Sequence, residues 1–320
     1  MKIAVTDDRF SSYSEENEIL SPFGGELLIC PPCTGNEILK YISDADALLV
    51  NQYKMTAEII AGLEKCRIIS RYGIGYDNVD IDAATGKKIW VARVPDYCFD
   101  EVGEHALAML LASARQLSVI DARVRQGDWN IHPGLTIPRI AGSTLGILGF
   151  GHTGQAFARK CSGIGFGRVL VCDPYVSESS VLHQLKAEKA DFDILLSESD
   201  YLSLHVPYNS TTRHLIGQSA FIRMKPSAVL INTSRGAVVD TEALYAALSD
   251  GEISGAALDV FEDEPPVLTE KIRNIPGLLV SDHSAYYSTS SLSELKKKTA
   301  LNVLDVLSGK IPRYPVNRLL

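Results

Sequence analysis

Three loops in the last third of the chain each carry one ionisable side chain capable of chemistry. Arg235 stands in Asn232-Thr233-Ser234-Arg235-Gly236, after the apolar run 228–231. Glu264 follows Ala257-Leu258-Asp259-Val260-Phe261, and His283 follows Leu278-Leu279-Val280-Ser281-Asp282. Taken singly, each has an ordinary reading: a surface ion pair, a solvated acid and a satisfied loop histidine. Taken together, they supply what the reaction of a ketone with hydride needs. An arginine fork can hold a carboxylate and polarise a carbonyl. A histidine can deliver a proton near neutrality, and an adjacent carboxylate favours its charged form.

A source of hydride is encoded in mid-chain. Leu145-Gly146-Ile147-Leu148-Gly149-Phe150-Gly151-His152-Thr153-Gly154 reads as a buried strand, a glycine-rich turn and a helix over 153–160. Gly149 allows the tight turn, Gly151 lets the backbone approach a pyrophosphate, and Gly154 brings helix against strand. The helix N-terminus offers free N–H groups to the phosphates. Such a turn can also serve packing alone, and the next strand decides between the two. Residues 168–172 are apolar and end at Asp173, where an acid would bind the ribose 2′-hydroxyl. A 2′-phosphate would meet that carboxylate, and no arginine occurs in Asp173-Pro174-Tyr175-Val176-Ser177, so the pattern favours NAD over NADP. A nicotinamide would supply the hydride.

The elements that must position these groups form two sets. A chain of 320 residues, 46% hydrophobic, exceeds the usual single core, and the residues ahead of the glycine turn must form a unit of their own. Short β-rich runs at 2–6, 26–30, 47–50, 67–70 and 89–92 alternate with helical stretches, which implies a parallel sheet. Thr34 with Glu37 reads as a capping box, and Thr56 as the cap of a helix over 57–63. A helix over 101–117 leads into a polar stretch, 121–138, with Trp129, His132 and Pro133, read as the domain crossing. From Thr144 the alternation resumes through 201–204, 228–231, 255–258 and 278–280, and a final helix covers 288–307. The expected class is α/β with two doubly wound parallel sheets. In that class chemistry sits at the carboxyl ends of strands, where all three ionisable residues stand.

Composition narrows the partners. A net charge of −8 and a pI near 5.4 argue against nucleic acid. No apolar run approaches the roughly 20 residues that span a bilayer, and Met1-Lys2-Ile3-Ala4-Val5-Thr6-Asp7-Asp8 turns acidic at once, so no membrane and a cytoplasmic location are expected. Six scattered cysteines fit reduced thiols. Cys30-Pro31-Pro32-Cys33 has a suggestive spacing, but its prolines and the lack of a second CxxC favour an ordinary loop, and no metal is expected. Lys296-Lys297-Lys298 and Glu262-Asp263-Glu264 are charge runs that would by default be solvated.

At this point the sequence resembles the D-isomer-specific 2-hydroxyacid dehydrogenases. The resemblance is carried by Arg71-Tyr72-Gly73-Ile74-Gly75-Tyr76-Asp77-Asn78-Val79-Asp80, Glu101-Val102-Gly103-Glu104-His105, the Gly149 turn, His205-Val206-Pro207, Asn232 to Gly236, Ala257 to Pro265, and Asp282-His283, in family order over about 45–290. It implies that Arg235 binds substrate, Glu264 is the acid partner and His283 the proton donor. Gly73, Ile74 and Gly75 match the loop whose amides hold the substrate carboxylate, with Ile74 also near the nicotinamide. His152, Thr153, Asp173, Val206, Thr233, Ser234 and Asp259 match cofactor contacts, Asp259 at the carboxamide. It further implies a Rossmann NAD-binding domain over 100–286, a flavodoxin-like substrate domain from 1–99 plus 287–320, and a homodimer built by the helix after Pro95 and the arm around Trp129.

Some positions depart from the family pattern. Ser284-Ala285-Tyr286-Tyr287 resembles the C-terminal-binding-protein branch, where an aromatic takes the place of Tyr286. An NAD(H)-sensing binding protein of that type is the alternative, and it too keeps Arg235, Glu264 and His283. Gly103 replaces a usual alanine, which reads as lost helix propensity. The chain stops at Leu320, so the appended regulatory domain of many phosphoglycerate dehydrogenases, and serine feedback, are not expected. Asn51, Gln52, Tyr53, Lys54 and Tyr286 are read as the far end of the substrate pocket. Lys54 is the one cation among them, which favours a short or aromatic 2-keto acid over a phosphorylated one.

Overall fold

A computed structural model describes residues 1–130, 135–176, 180–273 and 275–319; His132, Pro133 and Ser177 of the stretches read above lie outside them. The chain divides into two compact units, Met1–Tyr97 with Ser288–Leu320, and Cys98–Tyr287.

The first unit holds five strands: β1 (Lys2–Val5), β2 (Glu26–Ile29), β3 (Ala47–Val50), β4 (Ile68–Arg71) and β5 (Trp90–Ala92). All pairs are parallel, in the order β2-β1-β3-β4-β5 of a doubly wound sheet. Its core gathers Ile38, Ile42, Leu48, Val50, Ile59, Ile69 and Val91. The helix Thr289–Leu307 closes it: the Ser70 hydroxyl donates to the Thr299 carbonyl at 3.0 Å, and the Asn302 amide to the Arg93 carbonyl at 3.1 Å. Ser288 and Ser291 cap that helix reciprocally.

The second unit holds seven parallel strands: β6 (Thr144–Leu148), β7 (Arg168–Cys172), β8 (Ala187–Lys189), β9 (Tyr201–Leu204), β10 (Val229–Asn232), β11 (Gly255–Leu258) and β12 (Leu278–Val280). Their order, β12-β11-β10-β9-β6-β7-β8, is that of a dinucleotide-binding sheet, and the winding reverses between β6 and β9. Leu202, Leu230 and Ala256 enter one core cluster, while Tyr201, Val229, Ile231 and Ala257 enter another. Both faces are buried, which is why these strands read as unbroken apolar runs.

The structure differs from the sequence reading in several elements. β8 has no apolar signal, because Glu188 and Lys189 lie on an outer strand with exposed side chains. Thr34 makes no side-chain cap, and Gly35–Ile38 is a 3₁₀ turn before the short helix Leu39–Ile42. Thr56 does cap its helix, Ala57–Ala61. The long helix ends at Ala114; Gln116 takes φ 51°, and Leu117–Arg125 is a further helix of the second unit, where a polar crossing was expected. Gly103 has a packing reason as well: a Cβ there would stand 3.0 Å from the Phe157 nitrogen. No helix among the described residues is long and apolar enough to cross a membrane.

The largest correction concerns Lys296, whose side chain is only 4% exposed. Its ammonium donates to Glu15 and to the Ser12 carbonyl, both at 2.6 Å, and lies 3.6 Å from Glu16, which is fully buried and accepts from the Tyr72 hydroxyl at 2.8 Å. Lys297 beside it is exposed. Lys296→Met should therefore cost about 3–5 kcal/mol, since it strands buried acid, while Lys297→Met should stay within about 0.5 kcal/mol. Urea denaturation of both variants measures the contrast, and equal stabilities would show the pairing to be inconsequential.

Candidate active site

The turn after β6 explains its glycines one by one. Gly149 takes φ 89°, and a Cβ there would lie 2.7 Å from the His205 carbonyl carbon and oxygen. A Cβ on Gly154 would overlap the Gly149 carbonyl oxygen, so helix His152–Cys161 sits directly on the turn. A Cβ on Gly151 would meet no described atom within 4 Å. Protein packing therefore does not require glycine at 151, as expected where a ligand's backbone approach does. Gly151 caps the helix without any side-chain bond. Its first N–H groups are thus unclaimed by side chains and suited to an anion.

Other predicted cofactor residues lie around the same turn. Asp173, at the end of β7, accepts from the Phe150 N–H at 2.7 Å and from the Tyr175 N–H at 2.8 Å, and stays half-buried. The glycine turn thereby fixes the acid. His152 is exposed and stacks on Phe99 with ring centroids 4.9 Å apart; Thr153 follows in the first helical turn. Val206 leaves β9 beside Gly149. Thr233, after β10, is buried, and its hydroxyl has no hydrogen-bond partner among the described residues. An orphaned hydroxyl, an open glycine and an uncapped helix fit a dinucleotide. Half-buried His205 lies against this turn: Nε2 is 2.9 Å from the Ser203 hydroxyl, and desolvation pushes the imidazole down to about 3.

Arg235, Glu264 and His283 come together on three neighbouring strand ends. Asn232 shapes the first turn: its Oδ1 accepts from the Ser234 N–H and hydroxyl at 3.0 and 2.9 Å, and its amide donates to the Arg235 carbonyl at 3.0 Å. A Cβ on Gly236 would overlap the Phe261 backbone, so this turn rests on the segment after β11. In that segment Glu264 accepts from the Phe261 N–H at 3.1 Å through Oε1 and meets His283 Nδ1 at 2.6 Å through Oε2. Burial works to raise the Glu264 carboxyl. The His283 bond and charge, the Phe261 N–H and the Arg235 charge outweigh it and hold the group below the ordinary carboxylate range. The run 262–264 is exposed as its charges imply, but two of its acids have fixed partners: Glu264 meets His283, and Glu262 pairs with His214 at 2.7 Å.

His283 itself takes φ 57°, an uncommon backbone for a non-glycine residue. Asp259, 1% exposed, imposes it. Its carbonyl accepts from the His283 N–H at 2.8 Å, and its carboxylate from the Ser284 and Ala285 N–H groups, both at 3.0 Å, and from the Ser281 hydroxyl at 2.5 Å. Asp259, read from sequence as a cofactor contact, thus has a structural task within the chain. Two residues given no role from sequence join this group, Ser281 and His105, whose Nε2 lies 2.9 Å from the Ser281 hydroxyl. A histidine on an Ala/Leu/Met-rich helix was the available signal.

The remaining predicted substrate residues belong to the first unit, apart from Tyr286, which is half-buried with its ring nearly perpendicular to that of Tyr287, centroids 6.5 Å apart. Gly73, Ile74 and Gly75 follow β4; Gly73 has φ 135°, and its carbonyl accepts from the Val94 N–H at 2.9 Å. The Arg93 guanidinium donates to the Ile74 carbonyl at 3.3 Å. Tyr53 follows β3, packs against that unit's core and donates its hydroxyl to the Gly35 carbonyl at 2.7 Å.

Comparison with known proteins places the chain in a family. Residues 107–285 match the family described as D-isomer specific 2-hydroxyacid dehydrogenase, NAD binding domain. A glyoxylate reductase of Thermococcus litoralis is 39% identical over 289 residues, 88% of this chain and 86% of its own. A D-3-phosphoglycerate dehydrogenase of Methanocaldococcus jannaschii is 33% identical over 99% of this chain, which spans 59% of that relative. The structure of D-lactate dehydrogenase from Aquifex aeolicus, complexed with NAD and lactic acid, superposes with a TM-score of 0.85 at 29% identity, covering 97% of this chain and 96% of that one. With a seven-stranded dinucleotide sheet and these relatives, the chain belongs to the D-isomer-specific 2-hydroxyacid dehydrogenases, a family of NAD-dependent oxidoreductases whose NAD-binding domain it carries in its second unit.

Proposed function

We propose that this chain interconverts a short 2-keto acid and its D-2-hydroxy acid, with Arg235, Glu264 and His283 as the reacting site. The observation that carries the proposal is the 2.6 Å contact between His283 Nδ1 and Glu264 Oε2, with the Arg235 charge acting on the same carboxylate. Bound NADH supplies the hydride. Arg235 holds the substrate carboxylate and polarises the carbonyl. His283 delivers a proton to the carbonyl oxygen from Nε2, the ring nitrogen opposite Glu264, and recovers it in the oxidation. Glu264 keeps the ring oriented.

The remaining assignments follow from the same reading. Residues 100–286 take the cofactor and residues 1–99 with 287–320 the substrate. Gly149, Gly151, His152, Thr153, Gly154, Asp173, Val206, Thr233, Ser234 and Asp259 serve the dinucleotide. Gly73, Ile74 and Gly75 offer amides to the substrate carboxylate, and Tyr53 and Tyr286 bound its far end. Trp129, 84% exposed, suits the arm of a cytoplasmic homodimer.

Glyoxylate heads the candidate substrates, because the Thermococcus litoralis relative is a glyoxylate reductase and exposed Lys54 is the one cation in 51–54. Glyoxylate, hydroxypyruvate, pyruvate or phenylpyruvate should drive steady NADH consumption, with kcat/KM above that for 3-phosphohydroxypyruvate. If none of these acids does, the NAD(H)-sensing alternative takes its place.

His283→Ala should lower kcat at least about 100-fold while NADH binding persists. Glu264→Gln should move the pH profile of reduction to lower pH, since a neutral amide removes the carboxylate whose charge is coupled to that of His283. An unchanged profile, followed by stopped-flow or steady-state assay, would return Glu264 to ordinary surface. For the cofactor, calorimetric titration should show NAD bound far more tightly than NADP, with the gap narrowed in Asp173→Ala; equal affinities in the unmodified protein would remove Asp173 from the ribose site.

A further inference from the structure

We propose that His105 is a positioning residue for the proton donor, acting through Ser281 and Asp259 on the turn that carries His283; this rests on the role proposed above for His283. Two hydrogen bonds and one close approach make the case. Ser281 Oγ stands 2.5 Å from Asp259 Oδ1 and 2.9 Å from His105 Nε2. A hydroxyl has one proton, and an ionised carboxylate can only accept, so that proton points at Asp259. The Ser281 oxygen must therefore accept from His105, and Nε2 carries the hydrogen. The direction of the whole chain is fixed: His105 Nε2–H to Ser281, Ser281 O–H to Asp259. The 3.5 Å separation of His105 Nε2 from Asp259 Oδ1 places the same N–H beside the carboxylate.

What this relay controls follows from where Asp259 spends its other bonds. The residue is buried, and its oxygens hold the N–H groups of His283, Ser284 and Ala285. Those are the bonds that maintain φ 57° at His283. His105 comes from a different element, helix Phe99–Ala114, and its side chain is 28% exposed, so neither the helix nor its packing demands an imidazole. Buried polar chains are secure when every member is satisfied and costly when one is not. Without the His105 donor, the Ser281 oxygen loses its partner and the carboxylate loses a polarised one. The turn then holds His283 less sharply, and proton transfer is sensitive to such misplacement.

Five variants and one spectrum test this. With NADH and glyoxylate, His105→Leu should lower kcat about tenfold, the scale of one hydrogen bond to a charged network, with KM and NADH affinity within about twofold. His105→Gln should restore most of it, because the glutamine amide reaches the position of Nε2. Ser281→Ala should reproduce the loss, and in a His283→Ala background His105→Leu should add nothing. Independently of turnover, ¹⁵N spectra should show a hydrogen on His105 Nε2. Unchanged kcat in His105→Leu, equal loss in the leucine and glutamine variants, NADH affinity falling in step with kcat, or a neutral ring protonated at Nδ1 alone would each overturn the proposal. Should the leucine variant unfold, His105→Gln against Ser281→Ala carries the same comparison. Full turnover in His283→Ala would remove the reading of His283 as well, whereas loss there with unchanged His105→Leu removes only this one.

Discussion

Burying a carboxylate costs several kcal/mol unless its lone pairs are answered, and Asp259 is buried almost completely. Most of the answers come from a single turn, residues 281–285, so the desolvation demand of one side chain dictates the path of the chain around His283. The same residue ties that turn to its neighbours through the main chain. Its N–H donates to the Asn232 carbonyl at 3.0 Å, and its carbonyl receives the His283 N–H at 2.8 Å. Three consecutive strands of a parallel sheet thus end in loops joined through one buried acid. The Gly236 approach to Phe261 and the Phe261 N–H on Glu264 complete the link between the arginine and the histidine.

The cofactor side rests on a different constraint, the closeness of backbone to backbone. Gly149 and Gly154 are explained by protein atoms that a side chain would strike, and Gly151 is not. That asymmetry separates a packing turn from a binding turn more cleanly than the motif does. Asp173 supports it, because its carboxylate is held by the turn's own Phe150 N–H.

Much of this was legible in the chain. Strands buried on both faces leave continuous apolar runs, and β6, β7, β9 and β11 were found within a residue of their bounds. Arg235, Glu264 and His283 were visible as ionisable residues just past such runs. Residues whose role depends on a partner distant in sequence were not. Lys296 reads as one of three solvated lysines, since nothing local reports Glu15 and Glu16, some 280 positions earlier and 2.6 and 3.6 Å away. β8 is short and polar because an outer strand has fewer neighbours to bury against. Thr34 carries the letters of a cap, yet the chain after it winds as a 3₁₀ turn that leaves its hydroxyl unused. His105 and Ser281 escaped because a relay is a matter of direction, and residue type does not carry direction.

The first unit is assembled from two stretches that flank the second, and this has a bearing on synthesis. Residues 98–287 form an uninterrupted segment with their own strands and cores, and they leave the ribosome before any of 288–320. The opening 97 residues are made first but must wait. Until helix Thr289–Leu307 arrives, Ser70 and the Arg93 carbonyl lack their partners, and Glu16 has no cation to offset its burial. Completion of the earliest part of the polypeptide is thereby placed late, as a step that waits until the whole of residues 98–287 has been made.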